Sequence, residues 1–313
     1  MPDAEGQQAK KHHGPSRAEI DATVADIEAQ VRAANDKINE RSGRPIIAAV
    51  IVGIALGGGL LLSLVFVKEL FMLFAGILIA FAVWELASAL RSSGRRVPRI
   101  PAVVAAVAIV PAAFYWLESG HWLVFLAGVA FVTLWRVAEF ALPLGRTSPR
   151  ELAKDLAAGV LIQSYVAFFA AFAVLLTAEP GGQWWTLTFL IVVVSVDVGA
   201  YATGINFGRH KMAPRISPKK TWEGFAGSAI FAIVASILLS IFLLQKPWWV
   251  GLIMGIVLTL SATAGDLTES LIKRDLGIKD ISSLLPGHGG FLDRLDSILL
   301  SAPVAFALYL VIT

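Results

Sequence analysis

Residues 185–205 read WTLTFLIVVVSVDVGAYATGI, and their reading decides the fold. A helix needs about 20 mostly apolar residues to cross the hydrocarbon core of a bilayer, and this stretch supplies them. One carboxylate, Asp197, interrupts the run Leu190–Val198 and is followed by Gly199, Tyr201 and Gly204. A charge at the bilayer centre costs roughly 2.5–3.5 kcal/mol on insertion scales, so Asp197 faces protein or water and not lipid. The glycines allow another helix to come close to it.

The same apolar character recurs on both sides. The 313 residues are 57% hydrophobic and 16% charged, with a mean hydropathy of +0.72, which excludes an ordinary water-soluble domain. Candidate spans fall at 46–67, 69–90, 100–117, 121–143, 156–177, 185–205, 224–244, 248–265 and 297–313. The expected fold is therefore all-α, a polytopic helical membrane protein of about nine transmembrane helices with its termini on opposite sides. The chain contains no cysteine, so disulfides, thiolate nucleophiles and Cys-based metal sites are excluded and any metal must sit on oxygen or imidazole. No repeat of fixed period is present, and residues 45–313 read as one membrane domain.

Residues 1–44 form a polar tail without the short apolar core of a secretory leader. Ser16–Glu19 reads as a capping box, and Ile20, Val24, Ile27, Val31, Ala34 and Ile38 follow a heptad-like rhythm. That stripe suits pairing with another tail, a membrane surface or a weakly helical solvated extension. The cations then set the orientation. Of 26 Lys and Arg residues, 23 lie in the tail and in the segments 91–99, 145–155, 206–222 and 266–296. By the positive-inside rule these are cytoplasmic, which places the N-terminus and both long polar loops on the cytoplasmic side of the inner membrane. Lys68 and Lys246 fall in opposite-side turns and Arg136 within a span.

Glu85 and the Arg136/Glu139 pair sit near helix ends, where snorkelling or a local i,i+3 ion pair accounts for them. Trp222, Trp184, Trp185, Trp248 and Trp249 read as an interfacial aromatic belt. Two segments carry chemistry. Residues 207–224, FGRHKMAPRISPKKTWEG, concentrate Arg209, Lys211, Arg215, Lys219 and Lys220 beside Ser217 and Thr221. Cations of this kind suit phosphoryl oxygens, and a helix starting near Thr221 adds N-terminal amides aimed the same way. On charge alone the loop is equally a positive-inside anchor. Residues 265–274, GDLTESLIKR, alternate acid and base on a helix, with Asp266, Ser270 and Lys273 on one face. Gly287-His-Gly-Gly290 makes a tight turn, and Asp293 and Asp296 again share a face at i,i+3. Hard carboxylates without thiols suit Mg²⁺, which takes one or two carboxylates plus substrate phosphates.

Together, Ser270-x2-Lys273-Arg274-x4-Lys279-Asp280-x-Ser282-x2-Leu285-Pro286-x-His288-Gly-Gly-Phe-x-Asp293-Arg294-Leu-Asp296 resembles the signature of the phosphatidate cytidylyltransferase, or CDP-diacylglycerol synthase, family. Asp197-x2-Ala-Tyr201-x2-Gly204 and Ser217-Pro-Lys-Lys-Thr-Trp-Glu-Gly224 are similar to that family too, so the specific resemblance spans about 195–296. The earlier helices resemble it only in hydropathy. The resemblance implies a Mg²⁺-dependent nucleotidyltransferase of phospholipid biosynthesis that joins CTP to phosphatidate, giving CDP-diacylglycerol and pyrophosphate. It also implies no nucleic-acid partner, and a homodimer. Asp266 and Asp293 are the implied metal ligands, with Asp197 as a third and Asp296 completing the acidic set. Lys219, Lys220, Lys273, Arg274 and Arg294 are implied phosphate clamps, and Ser217, Thr221, Lys279, Gly289 and Gly290 further substrate contacts. His288 orients phosphate or water, or serves only the turn; an ionised phosphate needs no general base. Rival readings are a CTP-dependent polyprenol or phytol kinase, told apart by releasing CDP, and a membrane anion transporter using Asp197. Against transport, the charges gather at one face.

Overall fold

In a bilayer the backbone finds no water to bond, so apolar runs satisfy their own amides as helices. The computed structural model of the protein describes residues 46–142, 148–282, 284 and 289–313. The polar tail, residues 143–147 of the loop before Ser148, and the Leu285–His288 part of the signature lie outside the described residues. The chain divides into two units, Met1–Ile51 and Val52–Thr313, and the site lies in the second.

Helices α1 (Ile46–Phe66), α2 (Lys68–Ser92), α3 (Arg99–Tyr115) and α4 (Leu117–Ala141) lead into α5 (Pro149–Ala178), α6 (Gly182–Phe207), α7 (Trp222–Phe242), α8 (Trp248–Asp275) and α9 (Leu292–Ile312). Seven of these are long and apolar enough to cross a membrane. The exceptions among the described residues are α3, at 17 residues, and α1, of which Gly57–Phe66 is the apolar part that qualifies as a shorter helix. Against the expected count of about nine, seven helices among the described residues are long and apolar enough to cross, and the other two apolar helices are shorter. The helices run past the apolar windows where polar residues continue the helical pattern. α8 extends through Asp275 and α9 begins at Leu292, so the acidic motifs lie on helix and not in loop.

The segment between α6 and α7 departs from the all-helical expectation. Lys211–Ala213 (β1) and Ser217–Thr221 (β2) pair as an antiparallel hairpin, with Lys211 opposite Thr221 and Ala213 opposite Ser217. Pro214 closes the tip, and the paired backbone gives the basic loop a fixed shape. Helix α7 then starts as expected: Thr221 is its N-cap, its hydroxyl accepting from Gly224 N–H at 3.1 Å. Helix α5 opens on a capping box between Ser148 and Glu151 with Pro149 at the first position. It widens into a π-helical turn at Gln163–Phe168, where the buried Gln163 amide donates to the Ala102 carbonyl at 2.8 Å.

Helices α6, α7, α8 and α9 pack against one another, and small residues let them approach. A side chain at Gly251 or Gly255 would run into the α7 backbone at Ile237 or Ile233. Large apolar side chains such as Phe66, Leu123, Leu134 and Phe242 remain exposed. That arrangement suits lipid as the surrounding solvent, where an outward Leu costs nothing.

Two charge assignments change. Arg136 does not chiefly serve Glu139, which stands 3.9 Å away. It is buried, and its Nε and Nη2 donate to Asp155 Oδ2 at 3.1 and 2.7 Å, joining α4 to α5. Glu85 does not snorkel. It is buried among α2, Ser282 and the start of α9, because three donors from distant residues meet its carboxylate.

Candidate active site

Three helices carry the acids. Asp197 projects from the C-terminal half of α6, Asp266 from α8, and Asp293 and Asp296 from the first turns of α9. Their crossing is tight: a side chain at Gly265 would overlap the Asp296 carbonyl oxygen, so only glycine lets α8 lie this close to α9. The hairpin brings Lys219 and Lys220, and α9 brings Arg294. All of these border one cavity of about 400 Å³.

The cavity collects Asp197, Asp266, Asp293 and Asp296 together with Ser217, Lys219, Lys220, Thr221 and Arg294. Its remaining wall is largely small or apolar, with Ala200, Gly204, Met212 and Phe225 among its members. Lys220 Nζ meets Asp266 Oδ2 at 2.6 Å, while Ser270 Oγ donates to Oδ1 at 3.3 Å. Ser297 Oγ donates to Asp197 Oδ1 at 3.4 Å. Asp293 Oδ2 accepts from Gly290 N–H at 2.8 Å and its Oδ1 from Lys273 Nζ at 2.9 Å. Asp197, Asp266 and Asp296 repel one another, and Lys220 and Arg294 partly offset that charge at Asp197.

Several sequence-predicted residues stand elsewhere. Lys273 does not line the cavity; it bridges Asp293 and the fully buried Glu269, each at 2.9 Å. Arg274 Nε donates to the Ile216 carbonyl at 3.2 Å, tying the end of α8 to the hairpin tip. Lys279 is exposed and away from the lining. Gly289 and Gly290 lie in the turn before α9, Gly289 at φ +82°. His288 lies outside the described residues. The basic loop is further fixed by Glu223, whose carboxylate accepts from Arg209 N–H at 3.0 Å and meets His210 Nδ1 at 2.6 Å.

Sequence reasoning passed over Glu269, and it read Glu85 as a helix-end residue without finding its partners. Glu269 had a signal in its i,i+4 relation to Lys273; Glu85 had none in its own helix except the absence of a cation three or four residues away.

Magnesium can be tested against this donor set. Among the described residues no three Asp, Glu or His side chains are placed to close on one ion, which argues against an all-protein cage. The mutually repelling carboxylates on one cavity wall fit the other mode, one or two carboxylates completed by substrate phosphate oxygens.

Known proteins resemble this chain over most of its length. A family model described as "Cytidylyltransferase family" matches residues 47–312. The phosphatidate cytidylyltransferase of Mycobacterium leprae is 38% identical over 297 residues, covering 92% of this chain and 95% of that protein. Its counterpart from Mycobacterium bovis is 38% identical over 278 residues, 87% of this chain and 90% of its own. The one from Pseudomonas aeruginosa is 34% identical over 269 residues, 85% and 95% respectively. The likeness thus extends well beyond residues 195–296, where the motifs confine it.

Proposed function

The chain belongs to the cytidylyltransferase family and is a phosphatidate cytidylyltransferase of the membrane, and from that premise we propose that the cavity between α6, α8, α9 and the β1–β2 hairpin is where CTP and phosphatidate react. The observation that carries this is the convergence of four carboxylates with Lys219, Lys220 and Arg294 on one cavity. Two anionic substrates must meet there, and cations reduce their repulsion.

A phosphatidate phosphate oxygen attacks the α-phosphorus of CTP. The new oxygen–phosphorus bond forms as the bond from the α-phosphorus to the bridging oxygen breaks, and pyrophosphate leaves with that electron pair. Lys219, Lys220 and Arg294 hold phosphoryl oxygens. Thr221 and Ser217 add hydroxyls, whereas the first amides of α7 are already engaged, Trp222 N–H by the His210 carbonyl and Gly224 N–H by Thr221 Oγ1. Asp266 and Asp293 are the pair that would hold Mg²⁺ together with substrate phosphate oxygens, and Asp197 and Asp296 complete the acidic wall. When bound, the ion neutralises charge developing on the phosphates. Lys273 acts at one remove, orienting Asp293, and Arg274 acts through the hairpin. No side chain need serve as base, since the attacking oxygen is already ionised.

We further read α1 and α3 as crossing with the seven longer helices, which gives nine spans. The cation distribution supports an N-terminus and active site on the cytoplasmic side of the inner membrane, with residues 1–44 appended to the membrane domain.

The test is an assay in detergent with phosphatidate, Mg²⁺ and CTP labelled at the α-phosphate, run beside polyprenol as acceptor. Label entering lipid with stoichiometric pyrophosphate, dependent on phosphatidate and lost with EDTA, is the expected result. Release of CDP with polyprenol would replace this reading with the kinase; turnover that survives EDTA would remove the metal from it.

A further inference from the structure

Helix α9 carries Asp293, Arg294 and Asp296 into the cavity, yet its own N-cap residue, Phe291, makes no side-chain capping bond. The cap comes from another helix. Glu85 of α2, 3% exposed, accepts from Phe291 N–H at 3.1 Å on Oε1 and from Leu292 N–H at 3.0 Å on Oε2. These are amides that a helix start leaves without partners. A third donor, Ser282 Oγ, reaches Oε1 at 2.6 Å. One turn earlier on α2, Phe81 stacks on Phe291 with centroids 4.7 Å apart. A side chain at Gly290 would press on Glu85 Oε2 at 2.7 Å, so little room remains for the turn to shift.

We infer that Glu85 is a positioning residue for the transfer reaction: from α2 it fixes the first turn of α9, and Ser282 before it, in the register that presents Asp293, Arg294 and Asp296 to the cavity. The inference rests on the cavity being the transfer site. Carboxylate acceptors suit this task, because a negative charge is favoured at a helix N-terminus and both oxygens are needed for three donors. Glu85 itself does not line the cavity. Its loss therefore acts on the alignment of α9 and not on the hairpin cations that grip CTP.

The experiment compares Glu85→Ala, Glu85→Gln and Ser282→Ala with the wild-type protein, in full-length chain. Misplacement of reacting groups by about 1 Å costs on the order of 10²-fold. Glu85→Ala is expected to lower kcat by about that factor with KM for CTP changed less than about threefold. Glu85→Gln keeps the shape and one acceptor oxygen, and should recover about tenfold of the loss. A second readout is independent of activity. Because the chain has no cysteine, a spin label on Leu284→Cys, an exposed position, reports on the segment before α9, with Trp248→Cys at the start of α8 as reference. Glu85→Ala should sharpen the spectrum at 284 and leave that at 248 unchanged; Ser282→Ala, which leaves the α9 amides on Glu85, should loosen the same label and lower kcat about threefold.

Wild-type kcat in Glu85→Ala, a loss expressed wholly in KM, or an unchanged label at 284 would overturn the inference. If Glu85→Ala does not fold, Glu85→Gln and Ser282→Ala decide by the same measures. If the wild-type chain forms no CDP-diacylglycerol, the reading of the cavity fails on its own, and the label still judges the tie between Glu85 and α9.

Discussion

Adding one methyl group at Gly265 probes the acidic site without touching a charge. The new Cβ would overlap the Asp296 carbonyl oxygen and lie 3.2 Å from its carbonyl carbon and 3.3 Å from Ser297 Cα. Carbon atoms rest at about 3.5–4.0 Å, and the obstacle is backbone, so it cannot turn aside. Helices α8 and α9 must part by roughly 1 Å. Overpacking of this kind costs about 1–3 kcal/mol of stability. The same shift separates Asp266 from Asp296, and a misplacement of that size costs on the order of 10²-fold in rate, about 2.7 kcal/mol of barrier. Gly265→Ala is expected to lose about 10²-fold in kcat/KM while melting modestly earlier in detergent. Gly58→Ala is the control, since nothing lies within 4 Å of its added Cβ; it should be active and no less stable. Phosphatidate-dependent incorporation of label from CTP gives the rate, and thermal unfolding gives the stability. Turnover by Gly265→Ala within about threefold of wild type, at an unchanged melting temperature, would refute the claim that this crossing sets the spacing of the acids.

Asp266→Asn and Asp293→Asn should each abolish pyrophosphate release while still inserting in membranes as monodisperse protein; substantial Mg²⁺-dependent activity in either would remove that residue from the metal set. Lys220→Ala takes the 2.6 Å partner from Asp266, and a hydrogen bond to a charged group is worth about 1.5–3 kcal/mol. Steady-state kinetics in CTP should show kcat/KM down roughly 10- to 100-fold. Arg136→Met strands the buried Asp155 and should cost about 3–5 kcal/mol, read as a lower melting temperature that Asp155→Leu partly restores. Removal of residues 1–40 should leave kcat within about threefold; a well-folded inactive truncation would contradict that.

Where the helices lie was legible because bilayer chemistry leaves an apolar run little choice: the window 185–205 became Gly182–Phe207, and 224–244 became Trp222–Phe242. The acidic wall was legible because costly charges within spans are few and α8 and α9 begin or end beside them. Partners were harder. Asp266, Ser270 and Lys273 share a helix face, and Ser270 does reach Asp266. At 1.5 Å per residue, however, seven positions place Lys273 about 10 Å further along the axis, so it meets Asp293 of α9, and the cation on Asp266 comes instead from the hairpin. Arg136 repeats the lesson: the i,i+3 rule pointed to Glu139, but a buried guanidinium needs a buried acceptor, and Asp155 is the one that α5 supplies. Local spacing rules describe charges that have water as an alternative. A charge in an apolar helix has none, so when no opposite charge stands three or four residues away, as at Glu85, the inference to draw is a partner from another element. For Glu85 that partner is the uncapped start of the helix that carries three of the site's charged residues.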